Sequence, residues 1–316
     1  MKLDINKHVL LFYRKHEHDY PNRDFNRTLS GFMAWHVLLV KALTRAGFDV
    51  IENDFKLARA NPAYPVGLVG TPIALKNWDL PNPAILGPCM LDHPRLCPDL
   101  MQDSRFQKYL VTCEWLQNVF QPFYGAKCVR WNAGIDLEQW PDRSTEHKDI
   151  DVLIYDKIQW TRDAKKRLLL EPILVHIRAQ GLNQHVLEYG DLSHTQYADF
   201  LSRSKAMIFL SEHETQGMAY QEALASNVPV LAWDPGYWVD PLWEILADGP
   251  VPATSVPLFS AECGLTFARI FDFEPQFKKF LQQLGTFKPR EFVAKHLSLS
   301  ESAEIYHEYY RQAYGC

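Results

Sequence analysis

The sequence lacks the features that define several large classes of protein. None of its apolar runs approaches the ~18–20 consecutive residues that span a bilayer. Its six cysteines form no C-x-x-C pair and lie far apart, so neither a zinc site nor a disulfide framework is expected. Basic charge is also scarce, because 33 lysines and arginines stand against 38 acids, for a net charge of −5. That balance argues against nucleic acid as a partner.

The beginning of the chain carries no recognisable targeting segment. Its apolar run, Val9–Tyr13, is too short for the core of a signal peptide and is followed by charged residues. We therefore expect a cytoplasmic protein with reduced, buried cysteines. Peripheral contact with a membrane surface is left open.

Short apolar runs alternate with helical patterns along most of the chain, which indicates βαβ units and parallel sheets. A buried strand is predicted at His8–Tyr13. The polar stretch Asp142–Asp149 interrupts the alternation like an exposed linker, and Asp151–Tyr155 starts it again. A length of 316 residues also suits two domains. The predicted units are an N-terminal domain at residues 1–145, a C-terminal domain at 146–290, and a helical segment at 291–316 that packs back on the first domain.

The last helix has its own pattern. Ser300 to Glu304 carry helix-capping chemistry, and Ile305, Tyr309 and Ala313 follow at helical spacing. We expect these residues to form an apolar, aromatic stripe against the body of the protein.

The most informative stretch follows the predicted strand Ala206–Leu210. A polar loop leads from this strand into a helix near Gly217, and in a parallel sheet that loop lies at the carboxyl edge, where ligands bind. The first amides of the helix, at Gly217, Met218 and Ala219, have no helical partner and suit an anion such as a diphosphate.

Three acids crowd the same loop: Glu212, Glu214 and Glu222. Carboxylates accept hydrogen bonds from hydroxyl pairs, so the combination of anion-binding amides and acids indicates a sugar nucleotide. Each glutamate also has a simpler explanation. Glu214 could compensate the helix dipole, and Glu222 could be a solvated helical residue.

Seven residues separate Glu214 from Glu222, with Gly217 between them and Val228-Pro229-Val230 after the helix. This pattern resembles the E-x7-E signature of retaining GT-B glycosyltransferases, especially glycosyltransferase family 4. The resemblance implies an α/β fold with two Rossmann-like domains whose parallel sheets face a central cleft. It also implies hexosyl transfer from a nucleotide-sugar donor with retention of configuration and with neither metal nor cofactor.

The resemblance assigns roles to residues of the second domain. Glu214 would contact the donor sugar and act in catalysis, and Glu222 would bind the ribose hydroxyls. The amides of Gly217, Met218 and Ala219 would meet the donor's phosphate or sugar. Lys157 and Arg162 align with the basic pair that neutralises the diphosphate, although the glycine-arginine signature of the family is missing. Both could also be solvated residues at the start of a helix.

The first domain offers weaker candidates. Where the family has a glycine-rich loop, this sequence has Arg14–Leu29, which contains two histidines and two further arginines. Gly31 is therefore the candidate to take the role of that loop. His93 follows a predicted strand and is the candidate for a histidine close to the transferred sugar. An isolated histidine of this kind can equally be structural.

The sequence departs from the family pattern at three positions. Thr215 and Gln216 stand where the family has glycine and an aromatic residue, which puts the shape of the donor-sugar pocket in doubt. Asn227 replaces a glycine after the helix. That change is mild, because asparagine tolerates the left-handed conformation of a helix cap.

Other functions stay open. The D-x-D pattern of a GT-A enzyme occurs at Asp149-Ile150-Asp151, but it lies where the linker enters a strand, so we expect no metal there. A sugar-nucleotide epimerase could share the fold, and so could a non-catalytic module that binds a nucleotide or a partner. The acceptor of a transferase could be a glycan, a lipid-linked sugar, a protein or a small molecule.

Overall fold

The computed structural model describes residues 2–13, 31–76, 78–190 and 193–315. The chain divides into two compact units. The first comprises Met1–Gly134 with Leu297–Cys316, and the second comprises Ile135–His296. The N-terminal part of the first unit ends at Gly134, before the predicted boundary at 145, and the stretch Asp142–Asp149 belongs to the second unit.

The described residues of the first unit form a six-stranded sheet in the order β2-β1-β3-β4-β5-β6, with every neighbouring pair parallel. Its strands are β1 (His8–Phe12), β2 (Asp49–Glu52), β3 (Val66–Leu68), β4 (Ala84–Leu86), β5 (Phe106–Val111) and β6 (Cys128–Arg130). Its helices are α1 (Gly31–Arg45), α2 (Phe55–Ala60), α3 (Glu114–Tyr124) and, at the end of the chain, α11 (Leu299–Tyr314). Short 3-10 turns lie at Pro72–Leu75, Pro94–Leu96, Leu100–Gln102 and Gly125–Lys127.

The C-terminal helix packs on this first sheet. The Tyr310 hydroxyl accepts a hydrogen bond from the Leu10 amide and donates one to the Pro65 carbonyl. Trp131 Nε1 donates to the Ser302 carbonyl at 2.9 Å. The aromatic stripe is thus real, but its fully buried tyrosines are Tyr306 and Tyr310. The predicted stripe was wrong by one position at Ile305 and Tyr309. Tyr306 and Tyr310 have the same four-residue spacing, so the spacing alone does not distinguish the two pairs.

The described residues of the second unit form a five-stranded parallel sheet in the order β11-β10-β9-β7-β8. Its strands are β7 (Ile150–Asp156), β8 (Gln184–Glu188), β9 (Ser204–Leu210), β10 (Val230–Trp233) and β11 (Gly264–Phe267). Its helices are α4 (Arg162–Lys165), α5 (Glu171–Ala179), α6 (His194–Arg203), α7 (Met218–Ala225), α8 (Pro241–Leu246), α9 (Ile270–Gln283) and α10 (Pro289–His296), with a 3-10 turn at Leu284–Thr286.

The helix predicted over Arg162–Ala179 is interrupted. Lys166–Leu170 form a π-helical turn between α4 and α5, and Leu169 and Leu170 at its end are buried in the core of the unit. β7, β9 and β10 bury their apolar side chains in the same core, so the central strands of the sheet place the loops at their carboxyl ends on a rigid base.

Both units are parallel α/β units, which confirms the predicted fold class. Within the described ranges, no helix is long and apolar enough to cross a membrane.

Candidate functional site

The candidate site lies at the carboxyl edge of the second sheet. β7 ends at Asp156 and β9 ends at Leu210, and the Lys157 amide donates to the Leu210 carbonyl at 2.8 Å. The loops that follow these two neighbouring strands are therefore in contact. Open α/β sheets bind their ligands at this edge.

Glu214, predicted to contact the donor sugar, is buried and firmly held. Its two carboxylate oxygens accept hydrogen bonds from Lys157 Nζ at 2.7 and 2.9 Å, and Ser211 Oγ donates to Oε1 at 2.9 Å. Its backbone amide donates to the Thr254 carbonyl at 3.0 Å. The orientation of the Glu214 carboxylate is thus fixed by side chains that follow β7 and β9.

Glu212, two residues before Glu214 in the same loop, has a structural role. It is fully buried, and Lys165 Nζ donates to its Oε1 at 2.8 Å. The amides of Gln159 and Trp160 donate to the same carboxylate at 3.2–3.3 Å. Glu212 therefore ties the β7–α4 loop to the β9–α7 loop.

Glu222, on the second turn of α7, is different. Its side chain is buried, and no described residue forms a hydrogen bond or an ion pair with its carboxyl group. Burial alone raises the pKa of Glu222 to about 8. Burial also raises the pKa of Tyr155 on β7, and the nearby charges of Glu222 and Glu214 raise it further. The two glutamates of the E-x7-E pattern thus share Tyr155 as a neighbour.

The start of α7 explains why residue 217 is a glycine. Gly217 has a φ of +79°, and a Cβ there would lie 2.1 Å from the ring of Tyr220. Gly217 offers no side-chain cap to the helix. Met218 and Ala219 are partly exposed residues, and the amides of a first helical turn have no partner within the helix.

Two of the three departures from the family pattern, Gln216 and Asn227, have physical explanations. Gln216 Nε2 donates to Gln221 Oε1 at 3.1 Å, and Gln221 Nε2 donates to the Gln216 carbonyl at 2.9 Å. This buried amide pair fills the place for which the family pattern has an aromatic residue. Asn227 has a φ of +62°, which confirms that it takes the left-handed cap position after α7.

The two predicted phosphate-binding bases are both engaged with acids. Besides binding Glu214, Lys157 Nζ lies 4.8 Å from the ring centroid of Tyr189. Arg162 donates to both oxygens of Asp156 at 3.1 and 2.9 Å, and its Nη2 lies 2.8 Å from Glu188 Oε1. Arg162 thus joins the ends of β7 and β8. Its role in donor binding stays a prediction.

The candidates of the first unit are less informative. His93 is buried, and its Nδ1 accepts a hydrogen bond from the Arg95 amide at 3.1 Å, which caps a 3-10 turn. Gly31 is the first residue of α1, and a Cβ there would meet no atom of the described residues within 4 Å. The stretch Arg14–Leu29 lies outside the described residues.

The D-x-D pattern lies at the opposite end of β7 from the candidate site. Asp149 binds Arg203 with a shortest distance of 2.6 Å, and Asp151 binds Lys205 at 2.7 Å. Among the residues that the structure describes, no group of three or more histidines, cysteines and acids could hold a metal ion.

Sequence reasoning missed Ser211. Its hydroxyl donates to Glu214, and the signal in the sequence was its position three residues before that glutamate, at the end of the predicted strand. Sequence reasoning also grouped Glu212 with the ligand-binding acids. The lysine and the amides that bind this acid come from the β7–α4 loop and α4, about 50 residues earlier, so the sequence around Glu212 does not show them.

Residues 143–240 match the family described as "Glycosyl transferases group 1". The matched range contains Lys157, Arg162, Glu214 and Glu222, and so it covers the candidate site. The match confirms the prediction of a glycosyltransferase. No curated protein matches the chain.

Solved structures resemble all or most of the chain. A glycosyltransferase from Rickettsia africae ESF-5 is 11% identical with a TM-score of 0.60, and the match covers 98% of this chain and 99% of that one. Sucrose-phosphate synthase from Thermosynechococcus elongatus is 14% identical with a TM-score of 0.59, covering 98% and 99%. A complex of S. aureus TarM with fondaparinux, α-GlcNAc-glycerol and UDP is 13% identical with a TM-score of 0.57, covering 86% and 58%. At these identities the likeness shows the fold alone, and it confirms the GT-B assignment.

Proposed function

We propose that this protein transfers a sugar from a nucleotide-sugar donor to an acceptor, with retention of configuration and without a metal ion. The observation that carries the proposal is the Glu222 carboxyl group, which is buried without a described hydrogen-bond partner. A carboxyl group that is largely removed from water is stabilised when a ligand supplies hydrogen bonds to it. The two hydroxyls of a ribose would give this carboxyl group the hydrogen-bond partners that it lacks.

The start of α7 suits the diphosphate of the same donor. The amides of Met218 and Ala219 stand at the positive end of the helix dipole, and anions bind at such helix starts. Lys157 adds a cation. An ammonium group has three donors, and two of those of Lys157 go to Glu214, so the third can meet a phosphoryl oxygen. Together they would stabilise the leaving diphosphate.

Glu214 is placed to orient the sugar. Lys157 and Ser211 fix its carboxylate, and a carboxylate has about four acceptor positions, which leaves capacity for a sugar hydroxyl. Retention of configuration follows from the resemblance of the Glu214–Glu222 spacing to the E-x7-E signature. His93, Gly31 and Arg162 keep the roles predicted for them as part of this proposal.

A nucleotide-sugar donor is also consistent with the TarM complex, which contains UDP and a GlcNAc derivative. The acceptor of this chain is open among glycans, lipid-linked sugars, proteins and small molecules.

The first test is a thermal-shift panel with UDP-, GDP-, ADP- and CDP-sugars. A donor present at 100 times its dissociation constant should stabilise the fold by about 2.7 kcal/mol. The Glu222→Gln variant should lose this stabilisation, whereas Glu171→Gln, an exposed change on α5, should keep it. The proposal fails if no nucleotide sugar stabilises the wild-type protein.

Product analysis separates the remaining alternatives. A transferase releases free nucleotide and forms a glycoside whose anomeric configuration, read by NMR, matches that of the donor. An epimerase would return an altered nucleotide sugar, and a non-catalytic module would bind the nucleotide without turnover.

A further inference from the structure

Four aromatic rings in the second unit form a continuous row, which we call the ring column: Trp160, His213, Trp238 and Trp243. Successive ring centroids lie 4.9, 4.5 and 3.9 Å apart, with interplanar angles of 23°, 24° and 40°. The rings come from three segments: the β7–α4 loop, the β9–α7 loop, and the β10–α8 loop together with α8. The column therefore connects three neighbouring loops at the carboxyl edge of the sheet.

His213 occupies the second place in this column and lies between Glu212 and Glu214 in the sequence. Each of those glutamates binds a lysine of the β7–α4 region, Glu212 through Lys165 and Glu214 through Lys157. The stack of Trp160 on His213 is a further contact between the same two loops, in addition to the two ion pairs. On its other face, the stack with Trp238 extends this connection to the β10–α8 loop.

The imidazole is a neutral ring in this setting. Burial, together with the charges of Lys157 and Lys165, lowers the pKa of His213 to about 3. At any pH near neutrality, the ring thus does not gain a proton. A role in proton transfer is disfavoured, and a role as a flat, uncharged spacer between two indoles fits the geometry.

We propose that His213 is a positioning residue, which holds the Glu214 carboxylate in place by stacking between Trp160 and Trp238. This inference rests on the proposed role of Glu214 toward the donor sugar. Without the ring, the β9–α7 loop would lose its packing on both sides at the residue directly before Glu214. Misplacing a group that orients a substrate by about 1 Å can reduce the rate of reaction by about 100-fold.

Two substitutions separate packing from chemistry. His213→Ala removes the ring, whereas His213→Phe keeps a flat ring that can stack but cannot exchange a proton. His185→Ala is the matched control, because His185 stacks on Phe200 at 4.2 Å and 18° near the start of β8, away from the candidate site.

The kinetic readout uses a nucleotide sugar that the panel identifies as a donor. We expect His213→Ala to lower kcat by about 10- to 100-fold and to change the donor KM by less than about threefold. His213→Phe should restore most of kcat, and His185→Ala should leave it unchanged. Loss of activity in His213→Phe equal to that in His213→Ala would overturn the proposal, because the imidazole itself would then be required.

Amide hydrogen exchange tests the same inference without a donor. His213→Ala should speed exchange in residues 157–160 and 211–217, whereas His213→Phe should keep wild-type exchange there. His185→Ala should change exchange only around β8 and α6. Unchanged exchange at residues 211–217 in His213→Ala would overturn the positioning role even if no donor had been found, whereas a wild-type protein without any transfer activity would refute only the proposed function.

Discussion

Lys157 and Glu214 are bound to each other, with Lys157 Nζ 2.7 and 2.9 Å from the two carboxylate oxygens. Both side chains are largely buried, at 21% and 8% exposed. The base predicted for the diphosphate and the acid predicted for the sugar thus form one ion pair. A donor bound at Lys157 would therefore meet an ammonium group that Glu214 already holds in position.

Removal of Lys157 should therefore destabilise the protein as well as weaken donor binding. Lys157→Met leaves the buried Glu214 carboxylate without its counter-charge, and breaking a buried pair costs about 3 kcal/mol. Denaturant unfolding measures this loss. Lys205→Met is the control, because Lys205 is half exposed in its pair with Asp151 and should cost no more than about 1 kcal/mol. Equal losses in the two variants would contradict the stabilising role of the Lys157–Glu214 pair.

Gly217→Ala should destabilise the second unit. At a φ of +79° an alanine is strained, and its Cβ would also lie 2.1 Å from the buried Tyr220 ring. The matched control is Gly236→Ala, since Gly236 has a φ of +86° but no atom within 4 Å of a Cβ. We expect the control to cost about 1 kcal/mol, the backbone contribution, and Gly217→Ala to cost clearly more. Similar unfolding free energies for both variants would show that Tyr220 does not constrain this position.

The raised pKa of Glu222 predicts a pH dependence of stability. The folded protein keeps the Glu222 proton up to a pH of about 8, whereas the unfolded chain loses it near its ordinary pKa of about 4.3. Between these values the folded state binds more protons, so the contribution of Glu222 to stability falls as pH rises, by up to about 1.4 kcal/mol per pH unit.

Glu222→Gln removes this titration and keeps the shape of the side chain. The variant should thus gain stability relative to wild type as pH rises from 5 to 8. Urea unfolding of both proteins at several pH values in this range measures the difference. A difference that is independent of pH would show that Glu222 titrates normally.

Sugar transfer should persist in EDTA. In the proposed site, the first-turn amides of α7 and Lys157 would supply the positive charge that a leaving diphosphate requires, so we expect no need for a divalent ion. Initial rates with and without EDTA check this expectation. Loss of activity in EDTA with recovery on adding manganese would contradict it.

Much of the fold could be predicted from the sequence as far as Asp234, because most strands there contain an apolar run and several of the helices between them have recognisable starts and ends. Beyond that residue the pattern weakens. β11 has only four residues, two of them buried, and α9 contains a proline and many polar residues. The parallel pairing of β11 with β10 was therefore not visible in the sequence.

The residues of the candidate site likewise divide into those that the sequence shows and those that only the fold shows. The Glu214–Glu222 spacing and Gly217 are local in the sequence and could be found there. The pairing of Arg162 with Asp156 and Glu188 depends on β7 and β8 lying side by side, which only the register of the sheet determines. The contacts of Glu212 depend in the same way on β7 lying next to β9.

We propose that Glu222 binds the nucleotide and that Glu214 acts on the sugar. The most direct test of this assignment is to measure nucleotide binding by calorimetry and sugar transfer by product release, in wild type, Glu222→Ala and Glu214→Ala. We predict that Glu222→Ala weakens nucleotide binding, and that Glu214→Ala binds the nucleotide as wild type does but transfers no sugar. Full binding and full transfer in both variants would contradict the assignment of this site.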